Sequence, residues 1–186
     1  CGVHNALIEI DGPEVPILDG SSVDFVRGIM ARGVQPQAAP VLAYEILKPV
    51  TVERDGARAT LVPEDRLVIE FEINFDDAAI GRQSKTLDMR NGAFVRELCD
   101  SRTFCRQSDV EAMQGNGLAL GGTLDNAVVV DGETVLSPGG FRHADEAVRH
   151  KMLDALGDLA LAGGPILGRY TGEKAGHSLT NALLRK

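Results

Sequence analysis

The run His150-Lys151-Met152-Leu153-Asp154-Ala155-Leu156-Gly157-Asp158 has the period of an amphipathic helix. At about 100° per residue, His150, Asp154 and Asp158 fall within roughly 80° of one another, on one face. Lys151 flanks that stripe, and Met152, Leu153, Leu156 and Leu159 form an apolar surface opposite it. An imidazole and a carboxylate one turn apart have the spacing of two ligands to a single zinc ion. The same spacing suits a polar surface with a local His–Asp hydrogen bond, and the helix alone does not choose between them.

Around this helix, strand and helix signals alternate. Turn residues in Asp11-Gly12-Pro13-Glu14 and Leu18-Asp19-Gly20 bracket an apolar run from Val15 to Leu18. Ser21 or Ser22 then caps a helix carrying Val23, Val26, Ile29 and Met30 on one side, with Gly33 as its stop. Residues 35–40 read as a linker. Val50 to Glu53 and Ala57 to Val62 flank Arg54-Asp55-Gly56, a hairpin signature, and Leu67 to Phe75 alternates as a strand. A helix is expected near Asn91 to Cys99, an irregular Gly-rich region over 104–122, and a buried strand from Ala127 to Val130. The opening helix starts near Asp145, a last strand spans Ile166 to Tyr170, and a helical pattern runs from Leu179 to Leu184. Interspersed elements without βαβ regularity define an α+β chain.

Composition narrows the function. The 186 residues are 44% hydrophobic and 25% charged, the balance of an ordinary globular protein. No apolar run approaches the ~20 residues that span a bilayer. A formal charge of -8 argues against a nucleic-acid partner, whose affinity comes from cations on phosphates. Cys1, Cys99 and Cys105 are odd in number and lack C-x-x-C spacing, so they read as reduced thiols with no catalytic role. At the ends, Cys1 leads directly into a strand-like run from Ala6 to Ile10, and Arg185-Lys186 closes the chain while a helical pattern still runs. The expectation is a segment of a longer protein.

Several stretches belong together: Asp11 to Ser21, Ser101-Arg102-Thr103-Phe104, Gly117 to Gly122, Asp125 to Val130, Arg149 to Asp158 and Gly176-His177-Ser178-Leu179. In that order they resemble the UDP-3-O-acyl-N-acetylglucosamine deacetylases, zinc amidases of lipid A biosynthesis. The resemblance runs from Gly2 to the last residue. It implies two α+β domains, each a sheet layered with helices, with the active site between them. Residues 1–38 would be the C-terminal remnant of the first domain. Residues 39–186 would be the second domain, with the metal-binding helix and an insert forming a passage for an acyl chain.

The implied activity is zinc-dependent hydrolysis of the N-acetyl group of UDP-3-O-acyl-N-acetylglucosamine to UDP-3-O-acyl-glucosamine and acetate. This is the committed, cytoplasmic step of lipopolysaccharide biosynthesis in Gram-negative bacteria, and no obligate protein partner is implied. The family's third zinc ligand, a His, and its general base, a Glu, lie on a helix just before the stretch where this chain begins. Neither has a counterpart here, and His4 is not taken as a ligand. With two ligands, zinc is expected to bind the 186-residue chain weakly, and the chain alone is expected to be inactive.

By the resemblance, His150 and Asp154 ligate zinc. His177 is the imidazolium that stabilises the oxyanion and protonates the leaving amine, and Asp158 orients it and favours its charged form. Thr103 donates to the oxyanion. Lys151 and Lys174 contact the diphosphate, and Phe75 stacks on uracil, although Asp77-Ala78 replaces the family's His-Pro just after it. Phe104, Val110, Ala119, Gly122 and Leu124, with Leu120, belong to the acyl passage. Plainer readings stand beside these. His177 also suits an ordinary loop, Thr103 a strand-end hydroxyl, Lys174 a solvated surface, Phe75 a strand, and the apolar residues a core.

Two competitors remain at this level. One is a non-catalytic module of the same family that holds a UDP-lipid without turning it over. It has no use for Thr103, Asp158 and His177 together. The other is a structural fragment with incidental His–Asp pairs, which would carry no stoichiometric metal.

Overall fold

The computed structural model describes residues 1–115 and 122–186. Residues 1–22 form no regular element, and the first helix is α1 (Val23–Arg32). The strand-like run from Ala6 to Ile10 forms no strand: these residues are exposed, and among the described residues no strand pairs with them. Ser22 sits at the N-cap of α1 but caps nothing with its side chain, and its hydroxyl donates instead to the Cys99 carbonyl at 3.0 Å. Gly33 ends the helix at φ +78°, the left-handed conformation glycine adopts without strain.

A short strand β1 (Tyr44–Glu45) precedes the hairpin of β2 (Val50–Arg54) and β3 (Ala57–Val62). Asp55 and Gly56 both have positive φ, as a two-residue hairpin turn requires. Next come β4 (Leu67–Asn74) and β5 (Arg82–Asp88), followed by a five-residue π-helical turn at Phe94–Leu98 where a longer helix was expected. The stretch read as irregular holds a strand, β6 (Phe104–Arg106), and a helix, α2 (Gln107–Gly115). Beyond it lie β7 (Val128–Asp131), β8 (Thr134–Val135), α3 (Glu146–Leu159), β9 (Ile166–Glu173) and α4 (His177–Leu184).

The main sheet runs β2-β3-β9-β4-β5, with β1 pairing in parallel to the start of β9. Strand β9 is parallel to β4 and antiparallel to β3. A smaller sheet, β6-β7-β8, joins the segment around residue 104 to the one around 130. Helix α3 lies over β4 and β5, α4 over β2 and β3, and the two helices pack on each other. Ala59, Leu61, Ile69, Phe71, Ile73 and Tyr170 fill one side of this interface, and Val148, Met152, Ala155, Leu159, Leu179 and Leu183 the other. Side chains alternate along β9, so Gly168 and Gly172 share the buried face with Tyr170. At Gly172 a Cβ would come within 2.6 Å of the Phe71 ring. The fold is α+β.

The burial of α3 corrects the simple two-faced reading of that helix. Ala147, Val148, Met152, Ala155 and Leu159 are buried, Leu153 and Leu156 only partly, and His150 on the polar stripe is itself buried. A helix covered on this many sides holds its polar groups in place by protein contacts, and water plays a lesser part.

Strand β5 explains where α3 begins. Two of its half-buried positions, Gln83 and Lys85, are polar, and Gln83 accepts a hydrogen bond from the Val148 N–H at 3.1 Å, satisfying a free donor of the first turn. Lys85 reaches Asp145 at the N-cap position, at 3.0 Å.

Candidate metal and active site

Five stretches of the chain meet in a cleft of about 670 Å³, with α2 contributing Asp109 and Ala112. Helix α3 supplies His150, Lys151 and Asp154. The segment ending in β6 supplies Thr103, Phe104, Cys105 and Arg106. The turn from β9 into α4 supplies Ala175 and His177, and Phe75 after β4 closes one wall. Phe75 meets Phe104 edge-on with ring centroids 5.4 Å apart, and Phe104 stands edge-on to His150 at 6.5 Å. The result is a pocket with an aromatic wall and convergent polar groups.

His150 is fixed first. Its Nδ1 lies 3.0 Å from the Ser101 carbonyl oxygen, which only accepts, so Nδ1 carries a proton. The other nitrogen, Nε2, faces Asp154 Oδ1 at 3.3 Å. A ring lone pair opposite a carboxylate oxygen at that distance requires a cation: a second proton, or a metal ion with nitrogen and oxygen ligands. The donor set and its orientation therefore fit zinc. Among the described residues, no group of three or more His, Cys, Asp or Glu is gathered to hold a metal by itself. His4 is exposed and lines a different, larger concavity, between the N-terminal segment and Leu156, Leu159 and Ile166.

Burial of Asp154 pushes its carboxyl up. The hydrogen bond and charge of His150, and then Lys151, outweigh burial and hold it down at about 2. Lys151 Nζ donates to Asp154 Oδ2 at 2.7 Å. A depressed folded-state pKa gives stability that is present above the unfolded value, near 3.9, and lost as pH falls through about 2. The amount is on the order of 2 kcal/mol. Wild type should therefore exceed Asp154→Asn in unfolding free energy near neutral pH, with the gap closing as pH is taken from about 5 to about 2. An acid titration of both chains by denaturant unfolding checks this, and a constant gap contradicts it.

His177 opens α4, and its Nδ1 lies 2.9 and 3.1 Å from the two oxygens of Asp158 on α3. The carboxylate accepts, so Nδ1 carries the proton and Nε2 is the nitrogen left for other partners. Thr180 supports this turn. Its hydroxyl donates to the Gly176 carbonyl at 3.3 Å and receives the buried Tyr170 hydroxyl at 2.9 Å.

Thr103 is held by its backbone. Its N–H donates to the Gly20 carbonyl at 2.7 Å, and its carbonyl accepts from Val128 at 2.8 Å. Gly20 has φ +84°, and a Cβ there would run into the Asn126 carbonyl oxygen, so the close approach needs glycine. Asp19 anchors the same turn, bonding Ser21 at 2.7 Å and Arg142 at 2.7 Å.

The other expected residues are less gathered. Lys174 is exposed at positive φ, with its backbone N–H on the Glu72 carbonyl at 2.9 Å, and does not line the cleft. Val110 on α2, Gly122 and Leu124 also lie off the cleft wall, and Leu124 is 45% exposed. Ala119 and Leu120 fall outside the described residues.

The sequence reading missed the Ser101 carbonyl behind His150, the Arg106–Asp109 pair at the cleft, and Glu146. Arg106 and Asp109 are joined twice at 2.8 Å, three residues apart at the start of α2, a spacing that was legible. Cys105 also lines the cleft, and burial and Asp109 raise its thiol, which keeps it protonated. Cys99 is buried as expected.

An imidazole and a carboxylate face each other across the cleft wall, beside a second His–Asp pair. The family model for UDP-3-O-acyl N-acetylglycosamine deacetylase (LpxC) matches residues 1–186. The chain is 50% identical to the UDP-3-O-acyl-N-acetylglucosamine deacetylase of Phenylobacterium zucineum (strain HLK1), over 99% of this chain and 63% of that protein. It is 46% identical to the same-named protein of Anaeromyxobacter sp. (strain Fw109-5), over 100% of this chain and 61% of that one. For the Neisseria meningitidis protein (serogroup C, strain FAM18) the identity is 44%, over 99% and 61%. The chain belongs to this deacetylase family. It spans about three fifths of the length of the curated relatives it matches.

Proposed function

We propose that the protein is a zinc-dependent deacetylase. It removes the N-acetyl group of UDP-3-O-acyl-N-acetylglucosamine, giving UDP-3-O-acyl-glucosamine and acetate, in the cytoplasm as the committed step of lipid A biosynthesis. The observation that carries this reading is the convergence of His150, Asp154, Thr103 and His177 on one cleft from three separate stretches of the chain. Among the described residues no helix is long and apolar enough to cross a membrane.

His150 and Asp154 would supply two of the three protein ligands that a catalytic zinc ordinarily takes. Zinc, when bound, polarises the amide carbonyl and lowers the pKa of water. Thr103 donates a hydrogen bond to the oxygen on which charge develops. His177, with Nδ1 committed to Asp158, holds a proton at Nε2 and delivers it to the departing amine. Phe75 and Phe104 keep one wall apolar, and Phe75 offers a face for the base. Lys151 and Lys174 supply positive charge for the diphosphate. The acyl chain would leave the cleft past Phe104 on the side of α2, where each buried methylene would contribute about 0.8 kcal/mol.

Acetate release from the UDP-lipid by the whole protein tests the reading. Turnover should vanish with a chelator and return with zinc. Saturable binding of the UDP-lipid without acetate release would assign a binding module instead.

A further inference from the structure

Glu146 is the first residue of α3, has no exposed surface, and is one turn before His150. Its Oε1 accepts the Arg102 backbone N–H and the Arg102 Nε, both at 2.9 Å. Its Oε2 accepts Arg102 Nη2 at 3.0 Å and the Arg142 N–H at 2.6 Å. Burial pushes this carboxyl up, and the Arg102 and Arg142 donors more than offset it, keeping it ionised. A buried carboxylate with four donors is costly to assemble and weak evidence of stability by itself. What it holds is more informative.

The N–H of Arg102 and the carbonyl of Ser101 are the two ends of one peptide unit. In a trans peptide they point in opposite directions. The N–H end is on Glu146, and the carbonyl end takes the Nδ1 proton of His150 at 3.0 Å. One rigid plane therefore spans one turn of α3, tied at both ends to side chains of that helix. We propose that the Ser101–Arg102 peptide is a clamp between Glu146 and His150, and that Glu146 is a positioning residue that fixes the tautomer and aim of His150. A carboxylate on the N–H polarises the amide and strengthens its carbonyl as an acceptor. That bond in turn makes Nε2 a better donor to a metal. The guanidinium of Arg102 stops the segment from swinging, since Nη2 also bonds the Gly140 carbonyl at 2.6 Å. Thr103 follows directly, so the same clamp sets the start of β6 at the cleft.

The metal half of this inference rests on the reading of His150 as a ligand, and the tautomer half does not. The test reads the ring nitrogens of His150 in the metal-free 186-residue chain by two-bond proton–nitrogen correlation, at a pH where the ring carries one proton. The expected wild-type result is a proton on Nδ1 and a bare Nε2. In Glu146→Gln the Nε2-protonated form should appear, and in the whole protein zinc affinity from chelator competition should fall about 10–100-fold. Leu183→Ala, a core variant away from the cleft, should lose stability while leaving the tautomer in place. A wild-type ring protonated on Nε2 overturns the clamp, and this arm needs no variant to fold. A Glu146→Gln chain with wild-type tautomer and zinc affinity also overturns it. If His150→Ala leaves zinc affinity unchanged, the ligand reading fails, and the ring signature still decides the clamp.

Discussion

Replacing His150 or Asp154 with alanine is expected to remove bound zinc and deacetylation together, each variant losing more than about 100-fold in zinc affinity, beyond the usual cost of an outer-shell change. The motive is geometric. Nδ1 of His150 is committed to the Ser101 carbonyl, so only Nε2 can ligate, and it already faces Asp154 Oδ1 at 3.3 Å. Among the described residues no third His, Cys, Asp or Glu is gathered with them into a metal-holding group. Lys151 beside them carries no lone pair while charged, the Asp109 carboxylate is paired with Arg106, and the His177 Nδ1 is on Asp158. Metal analysis and acetate release on purified variants of the whole protein, with the upstream helix present, check this. Near-stoichiometric zinc with near-normal turnover in either variant would remove that residue from the metal site.

His177→Ala should separate chemistry from metal binding. It is expected to keep wild-type zinc content while turnover drops ~10²–10⁴-fold, the range for a positioned acid or base. Asp158 accepts the Nδ1 proton at 2.9 Å, which leaves Nε2 for the leaving amine. A variant that loses zinc as strongly as His150→Ala would instead make His177 a ligand.

Parts of this arrangement were legible because they are local. The hairpin declared itself through Asp55-Gly56, and α3 through its period. Helix α1 ended at Gly33, as a glycine stop implies. Other parts depend on distant partners. Strand β5 escaped notice because its half-buried Gln83 and Lys85 serve the N-terminus of α3, which leaves no apolar alternation to read. The Ala6 to Ile10 run has a strand's side chains, but β structure needs a second backbone, and none is beside it. Glycines made 104–122 look irregular, yet Phe104 to Arg106 becomes a strand by pairing with Val128 to Val130.

At the site, residue types pointed to His150, Asp154 and His177 through the motifs that carry them. Glu146 and Arg102 lie 44 residues apart, and nothing local in the sequence pairs them. Only the fold turns them into a buried pair behind the His150 ring. Main-chain groups such as the Ser101 carbonyl carry no signature in a sequence at all.

The central claim is that His150 Nε2 and Asp154 Oδ1 share one zinc ion in the cleft. Anomalous scattering at the zinc edge, from crystals of the whole protein, tests it most directly. The expected result is one strong peak at about 2.0–2.1 Å from His150 Nε2 and about 2.0–2.2 Å from an Asp154 oxygen. A zinc peak elsewhere, or an enzyme that releases acetate with no metal between these two side chains, would contradict the claim.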